Sequence, residues 1–130
     1  MGMAAPKGGA AVRGTRCHMD TDTDGSCSWR LTASNGRVIA VSARPYADYG
    51  ECRAGLEQLC ADIEELQGEL HHSSDGAGWA WRLRDRSGGV VAVSPRPYER
   101  HSTCQTAYDR FRLLLAEVGS GRTTLWDDAE

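Results

Sequence analysis

The chain has 130 residues and a mass of 14.1 kDa, which is enough for one domain or two very small ones. Its 15 Lys and Arg against 18 Asp and Glu give a formal charge of -3, which argues against a dedicated duplex-binding domain. No stretch reaches the roughly 18 consecutive apolar residues of a membrane helix, so we expect a cytoplasmic protein with no membrane partner.

The first predicted elements are a tail, a short strand and a hairpin. Residues 1–14 hold no apolar segment of signal-peptide length and are expected to form a flexible tail. An extended segment is expected at residues 16–19. Residues 28–33 and 38–42 are rich in β-forming residues that alternate in polarity, and the Asn35-Gly36 pair between them suits a two-residue turn. The Arg-Pro-Tyr loop at residues 44–46 ends the hairpin, because proline cannot continue the strand ladder.

A helix is predicted after this loop. Asp48 stands three residues before Glu51, as in a capping box. Gly68 is expected to end the helix. Apolar residues recur at three- and four-residue spacing, which predicts one buried stripe; they are Cys52, Leu56, Leu59, Ile63 and Leu66.

The same pattern recurs 52 residues later. The segment WRLTASNGRVIAVSARPYADYGEC begins at Trp29, and WRLRDRSGGVVAVSPRPYERHSTC begins at Trp81, with 12 identities over 24 positions. Ser87-Gly88 replaces the first turn, Ser102 and Gln105 replace the capping pair, and Gly119 ends the second helix. The second apolar stripe is Cys104, Tyr108, Phe111, Leu115 and Val118.

Each unit is too small to bury a core alone. Short extended segments at residues 69–73 and 123–127 follow the two helices, and the first of them can close one unit and open the next. We therefore predict an α+β fold in which two tandem strand-hairpin-helix repeats share one antiparallel sheet, with both helices on one face. The tail covers residues 1–14, and the repeats cover residues 15–68 and 69–128 of one compact domain.

These motifs resemble the YegP-like family of small bacterial and archaeal proteins of unknown function. The shared features are Trp-Arg-Leu, the Asn-Gly turn, Val-Ile-Ala-x-Ser, a following Tyr and an apolar helix, over roughly residues 15 to 128. The resemblance implies strands followed by a helix and an exchanged closing strand, with the units joined in a single sheet. It implies no activity and no catalytic residues.

The two faces of the predicted sheet differ in character. The two-residue turn places Trp29, Leu31, Val38 and Ala40 on the core face, together with Trp81, Leu83, Val90 and Ala92. The outer face then carries Arg30, Ile39, Val41, Arg82, Arg84, Arg86, Val91 and Val93. This face could dock a protein or an anionic ligand. The alternative, which we favour, is an ordinary solvent-exposed surface on which arginine stems shield valines.

The two Arg-Pro-Tyr loops are the second candidate site. Arg44 with Tyr46, and Arg96 with Tyr98, precede helix N-termini, where free N–H groups and guanidinium groups can hold phosphate or carboxylate. Alternatively, the tyrosines cap the edge of the core and the arginines pair with neighbouring acids.

An aspartate-rich loop is the third candidate. Asp20, Asp22, Asp24 and Gly25 match the first half of a calcium loop. Leu31 stands at the twelfth position, where such a loop needs a bidentate glutamate. The alternative is a solvated turn at Asp24-Gly25.

The cysteines indicate a reduced protein. There are five, at positions 17, 27, 52, 60 and 104, with no C-x-x-C spacing, so neither a disulfide framework nor a zinc ribbon is indicated. Cys52 and Cys104 fall within the apolar stripes and are expected to be buried and inert.

No motif of an enzyme is present: the chain has no nucleophile elbow, phosphate-binding glycine loop or H-E-x-x-H. We therefore predict a non-catalytic binding or interaction module without a cofactor, acting as a monomer, with a homodimer as the alternative. The competing interpretation is a metal- or anion-responsive protein that uses the aspartate loop or the Arg-Pro-Tyr loops.

Overall fold

Six strands and two helices make up the computed structural model, which describes residues 15–76, 78–122 and 125. The expected tail and most of the closing segment at residues 123–127 lie outside the described residues. The strands are β1 (Arg16–Thr21), β2 (Cys27–Thr32), β3 (Val38–Ser42), β4 (Gln67–His72), β5 (Trp79–Arg84) and β6 (Val90–Val93). The helices are α1 (Tyr49–Ala61) and α2 (His101–Gly119), and a 3-10 turn spans Ile63–Glu65.

The strands form one antiparallel sheet in the order β1-β2-β3-β6-β5-β4. The two hairpins meet at its centre, where Val41 lies opposite Val93 and Ser42 lies opposite Ala92. An α+β fold with a single antiparallel sheet is therefore confirmed. No helix in the described residues is long and apolar enough to cross a membrane.

The hairpin turns differ from the prediction. The Gly36 amide donates to the Ala33 carbonyl, and the Ala33 amide donates to the Arg37 carbonyl, each at 2.9 Å. This closes a three-residue loop, in which Gly36 adopts a φ of 84° that other residues rarely accept. The Asp85–Gly89 turn has the same two hydrogen bonds at 2.9 Å. The predicted two-residue turn was wrong by one residue.

A register shift follows from the longer turn. Leu31 lies opposite Ala40, but Thr32 lies opposite Val38, so Ile39 is the extra residue of a bulge and packs against the core. The other hairpin repeats the shift, and Val91 packs against the core. Placing Ile39 and Val91 on the outer face was therefore wrong.

The helix ends agree with the prediction in part. Asp48 caps α1, since its carboxylate accepts from the Glu51 amide at 2.9 Å. Helix α2 begins at His101 after Arg100, which makes no side-chain cap, so Ser102 lies inside the first turn and the predicted cap was wrong. Gly68 also does not end α1, because it lies within β4. A side chain there would collide with the ring of Tyr108.

The core lies between the sheet and the two helices. Trp29, Leu31, Ala40, Trp81, Leu83 and Ala92 are 0% exposed, which confirms their assignment to the core face. Val38 and Val90 were assigned to the same face, but they are half-buried and belong neither to the core nor to the residues packed against it, so their assignment was wrong. The ring of Phe111 on α2 stacks on Trp81, with ring centroids 4.8 Å apart. Arg112 ties α2 to the 3-10 turn, because its guanidinium donates to the Ile63 carbonyl at 2.8 Å and the Leu66 carbonyl at 3.1 Å.

All five cysteines are free thiols, and all except Cys17 are buried. Burial raises the pKa of Cys52 to about 12 and also raises the pKa of Cys104. A thiol with a raised pKa carries little thiolate near neutral pH, so both side chains act as small apolar groups. Their predicted burial is confirmed.

Candidate functional site

A large cleft in the described structure is lined by arginines. It has a volume of about 1060 Å³ and lies between the β2–β3 hairpin, the second Arg-Pro-Tyr loop and α2. We call it the arginine cleft, after its residues Arg37, Arg96, Arg100 and Arg110. Glu99 is the single carboxylate among the described residues that line it.

The second Arg-Pro-Tyr loop is hydrogen-bonded to β5. Tyr98 and Trp79 exchange two backbone hydrogen bonds, each at 2.7 Å. The guanidinium of Arg96 lies over the Tyr98 ring, 5.3 Å from its centroid, and also donates to the Val38 carbonyl at 3.4 Å. Arg96 therefore lies between its own loop and the β2–β3 hairpin.

The other three arginines form no ion pair within the part of the chain that the structure describes. Arg37 directly follows the glycine of the first turn, Arg100 stands at the N-cap of α2, and Arg110 lies further along the same helix. All three are exposed. Their charges are thus available to a ligand.

The walls of the arginine cleft combine hydroxyl groups with apolar surface. Ser102, Thr103 and Thr106 line it from α2. Ile39 and Leu114 also line it, and both are partly buried against the core. A ligand with both anionic and apolar groups would match these surfaces.

The first Arg-Pro-Tyr loop has a different environment. Tyr46 and Cys27 exchange backbone hydrogen bonds at 2.7 and 2.9 Å, and the Tyr46 ring packs on Gly55, where a Cβ would lie 2.7 Å from the ring. Arg44 is exposed near Asp85. Hydrogen bonds from Ser87 and Gly89 hold the pKa of Asp85 low, and Arg44 adds to this effect.

Both tyrosines belong to the edge of the core. Tyr46 and Tyr98 are half-buried and pack against the core cluster, and burial raises the pKa of each phenol. These contacts agree with the alternative in which the tyrosines cap the edge of the core. Of the predicted loop residues, the structure thus brings Arg96 and Tyr98 to a cleft and leaves Arg44 and Tyr46 outside it.

The predicted arginine patch of the second hairpin is internally paired. Glu69 on β4 accepts from Arg82 at 2.6 Å and from Arg84 at 3.0 Å, and Arg86 pairs with Glu65 at 3.0 Å. These three guanidinium groups therefore do not form a free cationic surface. On β2, Arg30 makes two hydrogen bonds of 3.1 Å to Asp20 in the same way.

The Glu69 pairing predicts a pH-dependent stability. Arg82 and Arg84 hold the pKa of Glu69 below its ordinary value of 4.5. Such a group stabilises the fold above its ordinary pKa, and this contribution is lost as the pH falls through the lowered value. We expect Glu69→Gln to lower the melting temperature at about pH 7 and to have little effect at about pH 2.

Thermal unfolding over this pH range provides the measurement. Glu64→Gln is the matched control, since Glu64 is exposed and forms no ion pair with the described residues. An effect of Glu69→Gln that does not change with pH would contradict the assigned role.

Two of the three carboxylates of the aspartate loop accept hydrogen bonds from neighbouring groups. The Asp20 carboxylate accepts a hydrogen bond from Arg30. The Asp24 carboxylate accepts hydrogen bonds from the amide and the hydroxyl of Ser26 at 2.9 and 2.8 Å. No three His, Cys, Asp or Glu side chains in the described part of the chain are grouped so that they could hold a metal ion. Asp20, Asp22 and Asp24 are therefore not brought together as the calcium hypothesis requires.

Sequence reasoning missed Arg37, Arg100 and Arg110. One signal was present in the sequence: Ser102, Thr106 and Arg110 recur every four residues, which marks one exposed stripe of α2. Nothing local connects that stripe with Arg37, because the two lie on different elements.

Two solved structures share this fold. A solution NMR structure of a UPF0339 protein from Shewanella oneidensis has a TM-score of 0.61 at 14% identity, covering 76% of this chain and 82% of that chain. A solution NMR structure of YegP from E. coli, a protein of unknown function, has a TM-score of 0.60 at 16% identity, covering 88% of this chain and 93% of that chain. No protein-family model matches the chain, and no curated protein matches its sequence.

Proposed function

We propose that this protein, which has the YegP-like fold of those two structures, is a non-catalytic binding module that holds an anionic ligand in the arginine cleft. The observation that carries the proposal is the grouping of four guanidinium groups and one carboxylate in one cleft. Guanidinium groups match the planar geometry of carboxylates and the oxygens of phosphates through paired hydrogen bonds. An anion there would relieve the repulsion between like charges.

A comparison of the two halves of the chain supports the proposal. We propose that residues 15–68 and 69–128 are duplicated units, on the basis of the identities and of the matching bulges. At the 52-residue offset, the counterparts of the arginine cleft residues are Gly89, Arg44, Asp48 and Gln58. Asp85 is the counterpart of Ala33, which lines the cleft. The counterpart positions thus hold one cation and two acids, so the duplication does not reproduce the positive charge of the arginine cleft, which draws on both units.

The composition of the cleft favours binding over catalysis. Among the described residues that line it, Glu99 is the only carboxylate, and no His or Cys is present. General acid–base catalysis usually draws on such groups, held within hydrogen-bonding distance of the reacting atoms. The lining residues support a role in holding an anion.

An NMR titration of the labelled protein with citrate and with pyrophosphate tests the proposal. We expect saturable shifts of the amide signals of Tyr98 and Ser102, and weaker binding at high salt. The double substitution Arg96→Gln and Arg100→Gln should weaken binding by about a hundredfold or more, because each of the two lost charge-assisted hydrogen bonds costs about 1.5–3 kcal/mol.

Arg44→Gln is the matched control, since Arg44 occupies the counterpart position of Arg96 outside the cleft. It should leave the affinity unchanged. The proposal fails if neither anion gives saturable shifts, or if the double variant and the control bind equally well.

A further inference from the structure

We propose that the ligand of the arginine cleft is an extended acidic peptide segment of a partner protein, with carboxylates near its two ends and an apolar side chain between them. This inference rests on the proposed function and specifies the partner. It follows from the length of the cleft, from its apolar surface and from the contact of its aromatic ring, Tyr98, with Arg96.

The spacing of the charges along α2 sets the length of the ligand. Arg100 and Arg110 are ten residues apart, and a rise of about 1.5 Å per residue separates their backbones by about 15 Å. An extended peptide rises about 3.3 Å per residue, so about five residues span this distance. The cleft volume of about 1060 Å³ slightly exceeds the range of small-molecule pockets, which is about 300–1,000 Å³. A compact anion would reach only one end.

The apolar surface requires more than charge from the ligand. Ala107 lies on α2 between the two arginines, and Ile39 lines the cleft from β3. A ligand made only of charged groups would leave this surface against water. An aliphatic side chain between two carboxylates would cover it, and burial of apolar area is favourable by about 25 cal/mol per Å².

The aromatic ring of the cleft argues against single-stranded nucleic acid. Modules that bind such strands without sequence preference stack bases on exposed aromatic faces. Tyr98 is the aromatic residue among the described lining residues, and it is half-buried with Arg96 over its ring. With that ring engaged, the guanidinium groups remain as the recognition elements, and they pair well with carboxylates.

Fluorescence anisotropy with labelled peptides tests this inference on the full chain. The probe is Glu-Ser-Leu-Ser-Glu with blocked ends, compared with Glu-Ser-Ser-Ser-Glu and Glu-Leu-Glu at equal charge. A short oligothymidylate and citrate serve as competitors. We expect the first peptide to bind about tenfold more tightly than either comparison peptide, which would reflect the added apolar contact or the longer span.

Substitution at the far end of the cleft gives a second readout. Arg110→Gln should weaken binding of the long peptide by about tenfold and change binding of Glu-Leu-Glu much less. Arg122→Gln is the control, since Arg122 is exposed and does not line the cleft. Both positions are exposed, so the variants should keep the wild-type melting temperature.

The possible failures are distinguishable. If citrate binds through Arg96 and Arg100 but the three peptides bind equally, the peptide inference is overturned and the anion-binding proposal stands. Tighter binding of oligothymidylate than of any peptide also overturns it. If citrate, pyrophosphate and the peptides all fail to bind, both proposals fall.

Discussion

Replacement of Trp81 by alanine is expected to lower the free energy of unfolding by about 3–5 kcal/mol, the usual cost of deleting a buried aromatic side chain. Trp81 is 0% exposed, stacks on Phe111 of α2 and lies opposite Leu70 of β4. It therefore joins the sheet to a helix, and the cavity left by alanine cannot close without moving α2. Urea unfolding followed by circular dichroism measures the change.

A second variant separates packing from polarity. The indole N–H of Trp81 is buried without a hydrogen-bond partner among the described atoms, and such a group destabilises the folded state. Trp81→Phe removes this group and keeps a ring beside Phe111, so we expect it to cost far less than alanine. Leu113→Ala, at a position 60% exposed, is the surface control and should change stability by about 0.5 kcal/mol or less. Equal costs for the alanine and phenylalanine variants would contradict this account of the core.

The second large effect is expected at Gly78. This residue has a φ of 153°, a conformation that other residues rarely adopt, and a Cβ there would collide with the Tyr98 carbonyl. Gly78→Ala combines backbone strain with a steric clash, and each typically costs about 1–3 kcal/mol. We expect a loss of about 2–4 kcal/mol in thermal or urea unfolding.

The consequence should extend to the arginine cleft. Tyr98 is held by its two backbone hydrogen bonds to Trp79, the neighbour of Gly78, and Arg96 lies over the Tyr98 ring. Displacement of this carbonyl should therefore also weaken citrate binding. Gly76→Ala is the matched control, because Gly76 has a φ of 76° but open space around its Cβ position. If both glycine variants lose the same stability, strain alone is responsible and the predicted clash is wrong.

The residues of the aromatic core could be predicted from the sequence, whereas those of the outer face could be predicted only in part. The alternation of apolar and polar residues around Trp29 and Trp81 correctly identified the buried faces of β2 and β5, because this alternation depends on the strand alone. Ile39 was misplaced because its side depends on a bulge, which is set by the turn and not by the strand pattern. Arg82 and Arg84 were identified on the outer face, but their shared partner Glu69 comes from β4.

The candidate site was harder to predict for the same reason. Arg96 and Tyr98 were recognised because their loop repeats a motif. Arg37 and Arg110 belong to a hairpin and a helix that are distant along the chain, and they lie in one cleft only after the sheet and α2 have packed. No local pattern in the sequence predicts that such distant residues lie close together.

The sequence by itself determined the elements and the buried side of most of them, because hydrophobic periodicity and turn residues act over a few neighbouring positions. Tertiary structure alone decided which charges are neutralised and which are free. Whether a guanidinium group finds a carboxylate depends on strand register and on the path of distant loops. That is why the arginines of the second hairpin are paired with acids, while Arg100 and Arg110 of the cleft form no ion pair with the described residues.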